Sequence, residues 1–202
     1  MSIPYANRDE ELLIGLTHCY RCISANLASF YFQPKNPRSD NNAARWLARL
    51  ERLRLLESRL VFAKSLPQLT SPLLRWSPGE PLPEFGPVSY TLKHRFQTAA
   101  RATRIYIAAR AAAKRYGGSA ERWPRRSESS HDLGLAQVYL DLAVNQPHRA
   151  EGWQSEAYLI SQGVRAGNKL PDAMVTELDG SETVIEFGGE YGKKKLTEFH
   201  AD

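Results

Sequence analysis

Two carboxylates carry the clearest chemical signal in this 202-residue chain. Asp172 follows Pro171 at the start of one apolar run, and Glu186 lies in a second, Val184-Ile185-Glu186-Phe187-Gly188. Asp179-Gly180 between them is a strong hairpin-turn signal. A hairpin closed there sets the two acids side by side at one end. Facing carboxylates repel unless a cation lies between them, and Mg²⁺ held that way can orient water for phosphodiester cleavage. Asp172 and Glu186 are therefore candidate metal ligands. Mg²⁺ is the cofactor expected if the site is active, and otherwise none is expected. Glu156 is a candidate third ligand, and Lys193 or Lys194 could stabilise developing phosphorane charge. Plainer alternatives stand beside these: a turn acid for Asp172, a carboxylate paired with Lys193 or Lys194 for Glu186, an exposed strand residue for Glu156. His131 reads as a helix-start residue rather than a ligand.

The second signal is cationic. At 100° per residue, Ala43, Ala44, Trp46, Leu47, Leu50 and Leu53 share one face of a helix predicted over 40–53. Arg38, Arg45, Arg49 and Arg52 fall on the opposite face, close to one line. Asp40, Asn41 and Asn42 are candidate N-caps. Such a row of guanidiniums repels itself unless something anionic lies along it, and DNA phosphates and guanine edges are the usual candidates. Arg38, Asn41, Asn42, Arg45, Arg49 and Arg52 are the expected DNA-contacting residues. Arg59 and Lys64 would add backbone contacts from a strand that follows. The alternative is a solvated basic face on an ordinary core helix.

The elements that must position these residues are read from periodicity and breakers. Helices are predicted over 8–21 and 24–32, with Ser24 as a cap and Leu27, Phe30 and Tyr31 as the core side of the second. Gln33-Pro34-Lys35-Asn36-Pro37 must interrupt the chain. After the basic helix the pattern turns β-like, with a strand at 60–62, a tip at 65–71 and a partner strand at 72–76. Proline and glycine forbid regular structure over 77–87, and 88–92 could return as an edge strand. An alanine-rich helix is predicted over 94–116, then a linker over 117–130. The remainder reads α-β-β-β-α: a helix over 131–144 capped by Ser130, strands at 154–160, 172–178 and 183–187, and a helix over 190–200.

Charge divides in the same place. Residues 1–126 carry 21 Lys+Arg against 9 Asp+Glu, a net +12, and residues 127–202 carry 6 against 13, a net −7. A basic half suits a polyanion, and the acidic half suits a metal, a protein interface or simple solubility. The two cysteines, Cys19 and Cys22, have the Cys-x-x-Cys spacing without a second ligand pair, so reduced thiols are expected rather than zinc or a redox centre. The sequence has neither an apolar signal region at its start nor an 18-residue apolar run, so a soluble cytoplasmic protein with no membrane partner is expected.

The order of these pieces resembles a known family. The helix HDLGLAQVYLDL, Trp153-x-x-Glu156, Pro171-Asp172-Ala173, Ile185-Glu186-Phe187 and the segment KKKLTEF from Lys193 to Phe199 resemble the restriction-endonuclease-like, PD-(D/E)xK-type domain. The whole chain looks like the replication-relaxation family of mobile-element and plasmid proteins. Element order matches over most of the chain, and specific motifs match in 131–202. Gly188 stands where that pattern carries lysine. The fold class the resemblance implies is α+β, an N-terminal winged helix-turn-helix followed by a small α-β-β-β-α restriction-endonuclease-like domain. The expected domains are 1–116 for DNA binding, a 117–130 linker, and 131–202 as a possibly degenerate nuclease-like unit. The primary expectation is a sequence-specific double-stranded DNA-binding protein, a homodimer in the manner of winged-helix regulators, controlling transcription or replication of a mobile element. A Mg²⁺-dependent endonuclease or nickase is one alternative, and a protein-interaction module such as an inhibitor is the other.

Overall fold

A computed structural model describes residues 8–32, 39–67, 71–95, 97–118, 120, 122–163, 170–189 and 191–199. The described residues form nine α-helices and two three-stranded antiparallel sheets. The first half runs α1 (Arg8–Ile14), β1 (Ile23–Ser24), α2 (Ala25–Phe32), α3 (Ser39–Arg52) and β2 (Leu56–Ala63). It continues through α4 (Phe85–Arg95), β3 (Arg101–Ala108) and α5 (Arg110–Tyr116). The second half holds α6 (Ser129–Asn145), α7 (Pro147–Glu151), β4 (Trp153–Ser155), α8 (Glu156–Ser161), β5 (Ala173–Thr176), β6 (Glu182–Ile185) and α9 (Lys193–Phe199).

Helix α1 passes directly into a π-helical turn, Gly15–Cys19. Thr17 closes it by donating its hydroxyl to the Leu13 carbonyl at 2.9 Å, and the Tyr20 amide reaches the Gly15 carbonyl at 2.9 Å. Helix α2 starts as the sequence predicts, with the Leu27 amide donating to Ser24 Oγ. Its core side is Leu27, Ala28, Tyr31 and Phe32, whereas Phe30, expected inside, is 70% exposed. Helix α3 buries Ala43, Trp46, Leu47 and Leu50. It ends where the Leu55 amide reaches the Leu50 carbonyl and the Arg54 amide the Glu51 carbonyl, which places Arg54 in the left-handed region at φ 58°.

The partner of β2 differs from the expectation. Residues 72–76 are irregular, and β2 pairs along its whole length with β3, from Leu56 opposite Ala108 to Ala63 opposite Arg101. Strand β3 also pairs with β1, giving the order β1-β3-β2. The alanine-rich stretch read as one helix over 94–116 is therefore strand in its middle. Thr103, Ile105 and Ile107 are β-branched and Tyr106 is aromatic, and burial of Ile105, Tyr106 and Ile107 under the helices overrides the helix preference of the alanines. Its first two residues end α4, and its last part is α5, which stops at Gly117, φ 77°. The expected edge strand at 88–92 is part of α4, where Pro87 sits in the first turn and costs no hydrogen bond.

The second sheet is a meander in the order β4-β5-β6. Strand β4 is shorter than expected. At Ser155 the chain turns into α8, because Ser155 Oγ caps the helix by accepting from the Tyr158 amide. The hairpin β5–β6 pairs Ala173 with Ile185 and Thr176 with Glu182, and Gly180 takes φ 83° in its turn.

Packing does not separate the halves at 117–130. Leu133, Ala136 and Leu140 of α6 are buried with α1, α2, α3 and the first sheet. Leu142 of the same helix packs with Trp153, Ala173 and Val175 of the second sheet. Ser130, expected as the cap of α6, lies within the helix, and its hydroxyl instead accepts from the Lys64 amide at 2.9 Å. A third cluster joins α4 to α9 through Phe85, Leu92 and Leu196. The halves are also tied through the π turn, since Trp153 Nε1 donates to the Cys19 carbonyl and Ser155 Oγ to the His18 carbonyl.

Gly134 on α6 has no room for a methyl group. A Cβ there would lie 2.0 Å from Cζ of Phe187. Gly134→Ala is expected to lower stability by about 1–3 kcal/mol through overpacking, read as a lower urea midpoint at unchanged slope. An unaltered midpoint would mean that the Phe187 ring does not rest on α6. Arg54→Gly is expected to act in the opposite direction, raising stability by about 1 kcal/mol by relieving the left-handed backbone of a side-chain-bearing residue.

Candidate functional site

Two features answer the chemical signals in the sequence. The first is the outer face of α3. Asn41, Asn42, Arg45, Arg49 and Arg52 are all exposed, and they fall within about 100° of arc on the helix. Trp46, Leu47, Leu50 and Ala43 occupy the opposite side. Arg38 lies outside the described residues. Arg49 is ion-paired with Asp9 of α1, and Trp46 Nε1 donates to the same carboxylate. Burial works against the Asp9 charge, but Arg49 and Trp46 outweigh it and hold the carboxyl below its usual range. Among the described residues Arg45 and Arg52 have no carboxylate partner.

Arg59 lies on β2 and Lys64 directly follows it, not at the tip of a short wing. The Arg59 guanidinium lies over the Trp123 ring at 5.2 Å, and Lys64 is anchored through its backbone to Ser130. Arg126 lies over Phe62 at 5.6 Å. The segment leading into α6 thus runs beside β2, which explains why the expected linker is held in place.

The second feature is built around Asp172. The β5–β6 register, continued one step beyond Ala173 and Ile185, sets Asp172 opposite Glu186, as the hairpin reading requires. Asp172 Oδ2 accepts from His131 Nε2 at 2.9 Å and from the Phe187 amide at 2.8 Å. The other ring nitrogen of His131 faces Asp132 Oδ1 at 3.4 Å. Asp132 is 7% exposed and takes Arg21 Nη1 at 2.8 Å. Arg21 also lies 3.4 Å from Glu128 and 3.9 Å from Glu156. Signs alternate along the array: carboxylates at Glu128 and Asp132 on Arg21, then His131 between Asp132 and Asp172.

The electrostatics follow from these contacts. Burial opposes a charge on His131, but hydrogen bonds and charges from Asp132 and Asp172 outweigh it and push the imidazole up to about 10. Burial raises the Asp172 carboxyl, yet His131, the Phe187 amide and Glu186 together hold it below its ordinary value. Tyr191 is raised by burial and by the nearby Asp172 and Glu186 carboxylates. At neutral pH His131 is an imidazolium donating to carboxylates on both sides. It is therefore no general base.

Both acceptor directions of Asp172 Oδ2 are taken by donors of the chain. Among the described residues no group of three or more His, Cys, Asp or Glu side chains is gathered in metal-binding geometry. Glu156, expected on a strand as a possible third ligand, instead begins α8, half exposed, with Arg21 as its neighbour. Gly188 is buried, and a Cβ there would lie 3.0 Å from Leu92 Cδ2, so a lysine would have to displace Leu92. Lys193 is exposed at the start of α9, Lys194 approaches Glu198 at 3.7 Å, and Lys195 lies over the Tyr191 ring at 3.8 Å.

Sequence reasoning located the acid pair and passed over their partners. His131 is 41 residues from Asp172, and Arg21 is 111 from Asp132. The one available sign was His131-Asp132 opening an amphipathic helix, a cation and an anion side by side at a helix start.

The pH response has a definite sign. The folded value of His131, about 10, lies above its ordinary 6.5, so its stabilisation is full below 6.5 and is lost as pH rises through about 10. Asp172 is depressed, so its contribution is present above 3.8 and is lost as pH falls through its folded value. Urea titrations are expected to show the wild type losing stability between the two His131 values faster than His131→Gln does. Parallel curves would mean that His131 is not held as a cation. Known proteins supply no template for this geometry: no family model, curated protein or solved structure matches the chain.

Proposed function

We propose that the chain binds double-stranded DNA, with α3 as the element that enters the major groove. The observation that carries this reading is the outer face of α3, where Arg45, Arg49 and Arg52 line up with Asn41 and Asn42, opposite a fully buried side. Arginine donates bidentately to guanine O6 and N7, and asparagine does the same to adenine, so this face has the groups that read base edges as well as phosphates. The succession α1-β1-α2-α3-β2-α4-β3, with strands ordered β1-β3-β2, supports a winged helix-turn-helix in which β2 and β3 form an extended wing and α4 lies in the connection between them. In this reading Arg45 and Arg52 make the principal contacts. Arg49 and Arg59 are shared with Asp9 and Trp123 and contribute less.

The C-terminal portion is a restriction-endonuclease-like module without a working metal centre in this proposal. His131 on Asp172 and Gly188 against Leu92 support that assignment. It serves self-association, so that a homodimer reads paired half-sites. The resemblance to replication-relaxation proteins points to control of transcription or replication in a mobile element.

The test is a duplex-DNA titration by fluorescence anisotropy at two salt concentrations, with the products run on a gel that resolves cutting. Wild-type binding is expected to weaken with salt and to leave the DNA intact. Reversing two contacts in Arg45→Glu/Arg52→Glu is expected to weaken it by about 100-fold or more and to flatten the salt dependence. Both positions are exposed, so the double variant should keep the wild-type urea midpoint. Affinity unchanged in that variant would remove α3 from the interface. Mg²⁺-dependent nicks lost in Asp172→Ala and Glu186→Ala would establish the endonuclease instead.

A further inference from the structure

Asp9 is an acid at the margin of a basic face. It lies in the first turn of α1, and its carboxylate accepts from Trp46 Nε1 and is ion-paired with Arg49. Trp46 and Arg49 are three residues apart on α3, so they sit on neighbouring lines of the helix and one carboxylate reaches both. Trp46 is 4% exposed, and the Arg8 guanidinium lies over its ring at 4.8 Å. Asp9 is thus anchored from the interior through Trp46, while it holds the Arg49 side chain from the solvent side. Arg45 and Arg52 have no carboxylate of this kind among the described residues. Glu10, the next residue along α1, is exposed and makes neither a hydrogen bond nor an ion pair among the described residues.

We propose, resting on the α3 reading above, that Asp9 is a positioning residue that stands in for a DNA phosphate on Arg49, withholding that arginine from the duplex and lowering affinity for DNA of any sequence. A guanidinium presents the same donors to a carboxylate as to a phosphate, so the two compete for it. A cation binds DNA largely by releasing the counterions it replaces, and a cation already neutralised within the chain releases few. Were Arg49 to turn to a phosphate, Asp9 would be left beside the polyanion, still tied to Trp46. The exchange is close to neutral, and the pair adds little to binding. Non-specific affinity follows the number of cations free to track the backbone. Asn41, Asn42, Arg45 and Arg52 carry the base-reading groups, and Asp9 does not hold them. Withholding Arg49 therefore lowers the sequence-independent part of the affinity and leaves the base-reading part in place, so specificity rises.

The experiment is a fluorescence-anisotropy titration of the full-length protein with a random-sequence duplex of about 20 base pairs over a series of salt concentrations. The variants are Asp9→Asn, which keeps an oxygen for Trp46, Asp9→Ser as a second way to remove the charge, Glu10→Gln and Asp9→Asn/Arg49→Ala. Asp9→Asn and Asp9→Ser are expected to bind about five- to tenfold more tightly than the wild type at low salt, with a salt dependence steeper by about one phosphate. Glu10→Gln removes an equal charge next door without releasing an arginine, and is expected to change affinity by less than about twofold. The double variant has the net charge of the wild type and is expected to return to its affinity and slope. A purely structural role for Asp9 would move the urea midpoint and leave the salt slope unchanged. The proposal is overturned if Asp9→Asn and Asp9→Ser gain no more than Glu10→Gln. It is also overturned if the double variant binds about tenfold more weakly than the wild type, since Arg49 would then already contact the DNA. Arg45→Glu/Arg52→Glu in the same titration separates the two readings. Binding lost there, with no gain in Asp9→Asn, overturns the role of Asp9 alone. Binding kept there removes α3 from the interface and the role of Asp9 with it.

Discussion

One oxygen atom, Asp172 Oδ2, sets the relation between the helical and sheet parts of the second half. It accepts at once from the His131 ring on α6 and from the Phe187 backbone amide beyond β6. The first bond pins the open end of the hairpin to the start of α6, and the second fixes the chain as it leaves β6. Phe187 can then lie over Gly134, one turn along α6 from His131. A buried carboxylate is costly to desolvate and stays charged only when its acceptors are used. Asp172 meets that condition entirely within the chain. The same requirement passes along the row through Asp132, Arg21 and Glu128. Each group has a neighbour of opposite sign, and Arg21 and His131 each have more than one, so the row acts as a network rather than as separate pairs.

Because α6 belongs to two cores, this array also governs how the halves meet. Arg21 follows the π turn of the first half, and Asp132 sits on the shared helix. The Cys19 and His18 carbonyls at the end of that turn are met by Trp153 and Ser155 of β4 and the start of α8. A π turn has a wider hydrogen-bond loop than an α-helix and leaves carbonyls turned outward, which suits acceptance from a neighbouring element. The acids of the second half that lie near Arg21 are thereby consumed in holding the molecule together. The basic excess of the first half is used differently. Asp9 takes Arg49, while Arg45 and Arg52 keep their charge in solvent. The charge asymmetry of the sequence thus separates a structural use of acids from an outward use of arginines.

What the sequence disclosed follows the range of the interactions involved. Helix α3 was legible because its period and its row of arginines are local, although it begins at Ser39, so that Asp40, Asn41 and Asn42, expected as caps, lie inside it. The β5–β6 hairpin was legible because Asp179-Gly180 marks the turn and fixes the register, which brings Asp172 opposite Glu186. Strand β3 was not, because the alanines on both sides of it give the stretch a helical reading, and what makes it a strand is pairing with β2, which is remote in sequence. The extension of β4 to residue 160 failed for a local reason: Ser155 followed by Glu156 is a helix-start signal, and apolar content alone hid it. His131 and Arg21 were hidden for the reason that β3 was. Their partners are remote in sequence, and no spacing rule connects a helix start to a hairpin end.

The same geometry closes the space at the end of the hairpin. A metal site that hydrolyses phosphodiesters needs an open coordination position and a lysine or similar cation free to meet developing charge. Both needs require space at the end of the hairpin. Here that space is filled from two directions: α6 supplies His131 and Gly134 under Phe187, and α4 supplies Leu92 against Gly188. Helix α4 reaches this position only because it also packs its Phe85 and Leu92 against Leu196 of α9. Gly188 admits the close approach of Leu92, and His131 gives Asp172 a cationic partner. With both in place, Asp172 ties the end of the hairpin to α6 and holds the second half in register with the helix it shares with the first.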